Sequence, residues 1–347
     1  MKKIILSILI AMLVPSLGLG ASDINQQLYD AAYELNVGKV QALLNSGADP
    51  NWFKPGEREG TSILKWASYK ARLDEEQAQK KLLKIATILF EKGAKLGPHD
   101  NDILYVPIAY GAHDLTQLYI RHGASPIKFS SGTGSNITPV ELAAQNGHTD
   151  IQKLLVEQGA AKLDTKTVIQ LQFIYKALFG TVPELEDLIK QGAKVNAKNR
   201  LGETALIDCL RMFSSSRAPV FFYLLDIGAD VNLKGRDGYW ETFPLHVAIQ
   251  WTSYTLNFEK PRAGEKEMSK KILNSLIKAG AYVSSRNERG QTPLHVAAKY
   301  KNLFAARLLL KHNSKVMPRD GEGNTPLDYA ESGDIIKILK DHGAKEF

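Results

Sequence analysis

The stretch Thr292-Pro293-Leu294-His295-Val296-Ala297-Ala298, followed by Leu309 and by Asn313-Ser314, decides the fold of this chain. Threonine before proline starts a helix: the hydroxyl caps the first free N–H groups, and proline at the first helical position gives up no hydrogen bond. The small residues that follow let another helix approach closely. Leu309 lies one turn before the end of a second helix, where it can bury against a neighbour. Asn313 then ends that helix in the left-handed conformation, which asparagine tolerates better than most residues.

The same columns recur along the chain. Gly-Ala stands at Gly47, Gly93, Gly123, Gly159, Gly192, Gly228, Gly280 and Gly343, with Asn313-Ser314 in the same place before the last. Successive gaps are 46, 30, 36, 33, 36, 52, 33 and 30 residues, so the period is near 33 and two units carry extra sequence. Four residues before each position stand Leu43, Leu89, Tyr119, Leu155, Leu188, Leu224, Leu276, Leu309 and Leu339. The helix start also repeats, as Thr138-Pro139-Val140 and Thr325-Pro326-Leu327, more weakly as Thr61-Ser62-Ile63 and Thr204-Ala205-Leu206, and as Phe243-Pro244-Leu245-His246 without the aligned threonine. A fixed period of this length marks a repeat array, in which each helix pair buries its apolar face only by stacking on its neighbours.

These residues closely resemble the ankyrin repeat, most clearly over 136–160 and 289–313. The resemblance runs from about residue 23 to 347 and implies an all-α solenoid of stacked helix-turn-helix units with short hairpin loops. About nine repeats fill 21–347, with insertions near 69–80 and 251–267, both placed between the two helices of a repeat. The family resemblance implies recognition of a protein partner through the concave face, meaning the hairpin tips and first helices.

The N-terminus differs from the rest. Lys2 and Lys3 precede an apolar run from Ile4 to Val14, then Pro15 and the small residues Gly18 and Gly20. This is the layout of a secretory signal peptide, 1–20, cut after Gly20. Eleven residues rise about 16 Å as a helix, too short for a hydrocarbon core of about 30 Å. A cleaved leader places the mature chain in the periplasm or outside the cell, with no stable membrane insertion. Net charge is +7, with Lys2 and Lys3 supplying two of those charges. With no basic stripe and no nucleic-acid module, that charge argues for solubility and acidic partners rather than nucleic acid. Cys209 is the one cysteine, so no internal disulfide forms; in its apolar helix it reads as a buried, inert thiol.

Reactive chemistry has little room beside the repeats. His246 and His295 sit in the Thr-Pro-Leu-His position, His113 and His148 open second helices, and His122, His312 and His342 precede helix ends; His99 is unassigned. No zinc, calcium or paired-cysteine pattern occurs. The segment Ser130-Ser131-Gly132-Thr133-Gly134-Ser135 lacks the lysine of a phosphate-binding loop and reads as a hairpin tip. The chain is expected to be no enzyme, to have no catalytic, cofactor-binding or metal-binding residues, to need no cofactor, and to be a monomer alone.

Partner contacts are expected where aromatic and basic residues meet in hairpins and insertions. Candidates are Trp52, Phe53 and Arg58 after Gly47, Phe129 after Gly123, Arg236, Tyr239 and Trp240 after Gly228, and Trp251, Tyr254 and Phe258 in the second insertion. The competing readings are that the tryptophans fold back on their own repeat and that the insertions are neutral excursions. The functional expectation is an exported binding protein, in one version an inhibitor or immunity protein of an exported toxic enzyme. The alternatives are an accessory or scaffolding factor for an exported enzyme and a host-directed secreted effector. Gly280→Val is expected to destabilise strongly and Gly264→Val to be near neutral.

Overall fold

The computed structural model describes residues 21–56, 61–70, 75–97, 100, 102–129, 137–211, 217–237, 240–257 and 264–345. Residues 1–20, expected above to be a leader, His99 and the glycine-rich segment 130–135 lie outside the described residues. So do the site candidates Arg58, Tyr239 and Phe258.

Among the described residues the regular structure is helical apart from one short hairpin, and the chain divides into two compact units between Lys162 and Leu163. The first holds α1 (Ala21–Tyr33), α2 (Val37–Asn45), α3 (Ile63–Lys70), α4 (Glu75–Glu91), α5 (Tyr105–Ala109), α6 (His113–Arg121), α7 (Pro139–Gln145) and α8 (Thr149–Glu157). The second holds α9 (Thr165–Phe179), α10 (Val182–Lys190), α11 (Ala205–Arg211), α12 (Ala218–Asp226), the hairpin β1 (Gly235–Asp237) and β2 (Trp240–Thr242), and α13 (Pro244–Asn257). It continues with α14 (Glu265–Lys278), α15 (Pro293–Lys299), α16 (Leu303–Lys311) and α17 (Gly333–Asp341).

Within each unit the helices pair in sequence, and like helices then stack: α1 on α3, α2 on α4, α9 on α11, α11 on α13, α13 on α15, α14 on α16. This is the ankyrin arrangement. In the second unit one apolar cluster runs unbroken from Phe173 to Ala344.

The repeating glycine works as the sequence implies. All eight helix-ending glycines and Asn313 have positive φ, from 61° at Asn313 to 104° at Gly192. Each closes a Schellman turn, in which the next residue but none donates back to the leucine column: Ala281 N–H to Leu276 O at 3.0 Å, Ser314 N–H to Leu309 O at 3.0 Å, Ala344 N–H to Leu339 O at 3.0 Å. One residue thus anchors the turn twice, by its carbonyl and by its side chain. Eight of the nine column side chains are buried, Leu43 near the N-terminus being half-exposed. Each buried leucine contributes about 1.5–3 kcal/mol of apolar transfer.

Helix starts are equally specific. Thr138 and Glu141 form a reciprocal capping box, with Thr138 N–H donating to Glu141 Oε2 at 2.8 Å. At Thr292 the imidazole of His295 takes the carboxylate's role: Nδ1 accepts the Thr292 N–H at 3.0 Å, and Nε2 donates to Asn324 O of the next repeat at 3.1 Å. His246 repeats the second bond, donating to Gln291 O at 2.9 Å. Phe243 stands where the threonine should be, and the buried His246 Nδ1 has no partner.

The insertions are mostly helix rather than loop. The first lengthens α4 at its start; the second lengthens α13 and α14 to 14 residues each, against 7 and 9 in the next repeat. Helix-forming runs extend an existing helix at little cost because nucleation is already made. Gly264 has φ of 81° as the N-cap of α14, so a valine there is strained and the expectation of a neutral substitution fails. Cys209 is buried and free, and burial pushes its thiol up to about 12.

Candidate functional site

The sequence candidates separate into four environments. Trp52 turns inward onto Tyr29, ring centroids 6.3 Å apart at 77°, while Phe53 beside it is 41% exposed. The Lys54 ammonium lies over the Tyr29 ring, 5.1 Å from its centroid. Phe129 is not exposed as expected: it is buried against Tyr105, 5.8 Å away. A hairpin aromatic can face solvent or fold back on its own repeat, and here Tyr105 of α5, the first helix of that repeat, supplies the wall. Arg236 sits on β1, its N–H bonded to Gly202 O at 2.9 Å, its register partner being Glu241.

Trp240, Trp251 and Tyr254 come together. Trp240 opens β2 at the hairpin, and Trp251 and Tyr254 lie on the extended part of α13. A cleft of about 310 Å³ is lined by Asp237, Trp240, His246, Trp251, Arg289 and Tyr300, with Lys299 at its side. The Arg289 guanidinium lies over the Trp240 indole at 4.3 Å. Trp251 contacts Tyr254 at 5.6 Å, and Tyr254 contacts Tyr300 of α15's end at 6.3 Å. Lys299 lies 6.0 Å from the Tyr300 ring and 5.8 Å from Tyr329. Trp240 and Tyr254 keep 48% and 55% of their surface exposed, unusual for rings of this size within a packed face.

Backbone locks fix this face. Asn257 donates to Tyr300 O at 2.9 Å, tying the extension of α13 to the next repeat. Glu241 N–H donates to Glu288 Oε2 at 2.7 Å, and Glu288 N–H to Glu241 O at 3.0 Å, tying successive hairpins. Asn232 receives the Tyr282 N–H at 2.8 Å and donates to Gly280 O at 2.9 Å; Asn51 and Asn196 make the same pair of bonds to Lys95 and Gly93, and to Asp230 and Gly228.

Beneath the hairpin, Arg211 joins three carboxylates: Asp208 at 3.2 Å, Asp237 at 3.2 Å and Glu203 at 3.6 Å. Burial, followed by the neighbouring Glu203 charge, pushes Asp208 up to about 7. Burial also raises Asp237, against the pull of Arg211. His246 is pushed down to about 4 by burial, so it is neutral at physiological pH. Among the described residues no cluster of His, Cys, Asp or Glu has the make-up of a metal site, and no helix is long and apolar enough to cross a membrane.

Sequence reasoning missed Arg289, Lys299 and Tyr300. They flank the deciding Thr-Pro-Leu-His stretch, one on the hairpin and two where the first helix ends, and read as ordinary surface residues until the fold brings them beside α13.

Comparison with known proteins agrees with the geometry. The ankyrin repeat model matches residues 135–168, and the model for three copies of the repeat matches 262–346. The chain is 31% identical over 182 residues to human mitochondrial disaggregase and 29% identical over 202 residues to mouse inversin. It is 27% identical over 217 residues to alpha-latrotoxin-Lg1a of Latrodectus geometricus. Those matches cover 47%, 57% and 62% of this chain but only 24%, 17% and 14% of the respective relatives. The chain is an ankyrin repeat protein. Such repeats are protein–protein interaction modules, and this chain spans a quarter or less of the length of each of these relatives.

Proposed function

We propose that this chain is an exported, non-catalytic binding protein that grips a partner protein with the hairpins and first helices of its second unit. The observation that carries this reading is the open cleft at Trp240, Trp251 and Tyr300, where large aromatic rings and two cations stand on rigid, cross-tied backbone. Aromatic and arginine side chains of this kind dominate binding energy in protein interfaces. The leader at 1–20 puts the encounter in the periplasm or outside the cell, and an exported enzyme is the partner we favour, held inactive by occlusion as an immunity protein holds its toxin.

Edman sequencing of the mature protein should start at Ala21, and affinity capture from an envelope extract should recover a partner that Trp240→Ala/Tyr254→Ala fails to retain. Activity of the captured enzyme with and without this protein separates inhibition from scaffolding. Recovery of the protein chiefly in culture medium, bound to a host protein, would favour a secreted effector instead. Capture of nothing by the wild-type chain, or equal capture by the double variant, would overturn the reading.

A further inference from the structure

The cleft carries a charge pattern that specifies its guest. Arg289 and Lys299 both line it, and neither has a carboxylate partner among the described residues. Each is held over aromatic faces instead: Arg289 on Trp240, Lys299 between Tyr300 and Tyr329. The nearby acids are otherwise engaged. Asp237, on the same rim, is bonded to Arg211, Glu241 to Lys234 at 3.0 Å, and Glu331 to Lys301 at 2.8 Å. Glu288 receives the Glu241 N–H, and Asp320 receives the Tyr329 hydroxyl at 2.7 Å.

A cation stacked on an aromatic ring keeps its N–H edge free for an in-plane carboxylate, and stacking lowers the entropy lost on binding because the side chain is already placed. The exposed faces of Trp240 and Tyr254 lie beside those edges and suit an apolar neighbour of the acid.

We infer that the cleft formed by Trp240, Trp251, Arg289, Lys299 and Tyr300 receives an aspartate or glutamate side chain from an extended segment of the partner, with an adjacent apolar side chain resting on Trp240 or Tyr254. This rests on the binding role proposed above and names the chemistry of the partner at that site. Arg289 supplies the directional, two-pronged contact and Lys299 the point charge. The contact is sensitive to salt, since both cations are exposed.

The test is selection from a library of short random peptides displayed with their carboxyl ends fused, so that only side-chain carboxylates are on offer, against the full mature chain. Enriched peptides should place Asp or Glu next to an aromatic or aliphatic residue. The synthetic amidated winner should bind at least ~10-fold more weakly to Arg289→Gln/Lys299→Gln and when its acid is changed to the amide, the scale of losing charge-assisted hydrogen bonds. Thermal melting of the variant should stay within a few degrees of wild type, because each cation reaches the ring of a neighbouring repeat only by an exposed stacking contact. Enrichment of peptides without acids, no enrichment, or undiminished binding by the double variant would overturn the inference. Partner capture separates the two claims. If the wild-type chain and Arg289→Gln/Lys299→Gln retain the cellular partner equally, the carboxylate contact fails while partner binding stands; if neither retains one, the binding role itself fails.

Discussion

Replacing Asp208 by asparagine should stabilise the protein more at pH 8 than at pH 5. Asp208 is 4% exposed, and burial with the Glu203 charge pushes its carboxyl from 3.8 up to about 7. Between those values the folded chain holds a proton that the unfolded chain has released, so stability falls as pH rises across the window. At about 1.4 kcal/mol per unit, the cost of ionising Asp208 in the folded state reaches a ceiling of about 4 kcal/mol above pH 7. Asparagine removes that cost; the pull of Arg211 on the charged form is already contained in the value of about 7, and Arg211 keeps Asp237 and Glu203. Since the amide resembles the neutral carboxyl, the gain at pH 8 approaches that ceiling of about 4 kcal/mol. At pH 5 the folded carboxyl is protonated while the unfolded one is ionised, so about 1.6 kcal/mol of that cost is already present, and the gain from asparagine is about 2–3 kcal/mol smaller than at pH 8. Urea titrations of both proteins at the two pH values, followed by circular dichroism, give the comparison; the other carboxylates are common to both chains. Equal destabilisation by Asp208→Asn at pH 5 and pH 8 would show that the carboxylate is ionised and structurally needed throughout, and the reasoning would be wrong.

Gly280→Ala and Gly264→Ala meet open space but impose a positive φ on a side chain, costing about 1–2 kcal/mol each. Gly290→Ala should cost clearly more, since its added carbon would lie 2.7 Å from Gly321 N as well; melting temperatures rank the three, and parity would discount the backbone clash. His246, held down near 4, contributes stability that is present above pH 6.5 and lost as pH falls toward 4, so His246→Gln should flatten acid unfolding over that range by up to about 3 kcal/mol, read as the urea midpoint against pH. Asn232→Ala removes two bonds between successive hairpins and should lower stability by about 1–2 kcal/mol while raising hydrogen exchange at Tyr282; unchanged exchange there would argue against the lock.

What the sequence revealed and concealed follows from the range of the forces involved. A left-handed helix end is a constraint on one residue, so the glycine column and Asn313 could be read directly. Helix starts were similarly local at Thr138 and Thr292. The asparagine locks were harder, because Asn51 and Asn232 act on residues 42 to 50 positions away. Their signal was nonetheless present: Asn51, Asn196 and Asn232 each stand four residues after a helix-ending glycine. The site was legible by halves. Trp240, Trp251 and Tyr254 were found by being aromatic in unusual sequence, but composition cannot tell an exposed ring from one with a wall to lean on, which is why Phe129 misled. Arg289 and Lys299 acquire meaning only beside rings from another repeat.

The lengthened α13 has a mechanical consequence. Tyr254 and Asn257 project from one repeat onto Tyr300 of the next, so the joint between them is bridged twice. Repeat arrays flex by small rotations accumulated at such joints. A guest spanning both tyrosines would act as a splint there, and the array's elasticity, measured by pulling on its ends, would stiffen at that one hinge while the remaining joints kept their give.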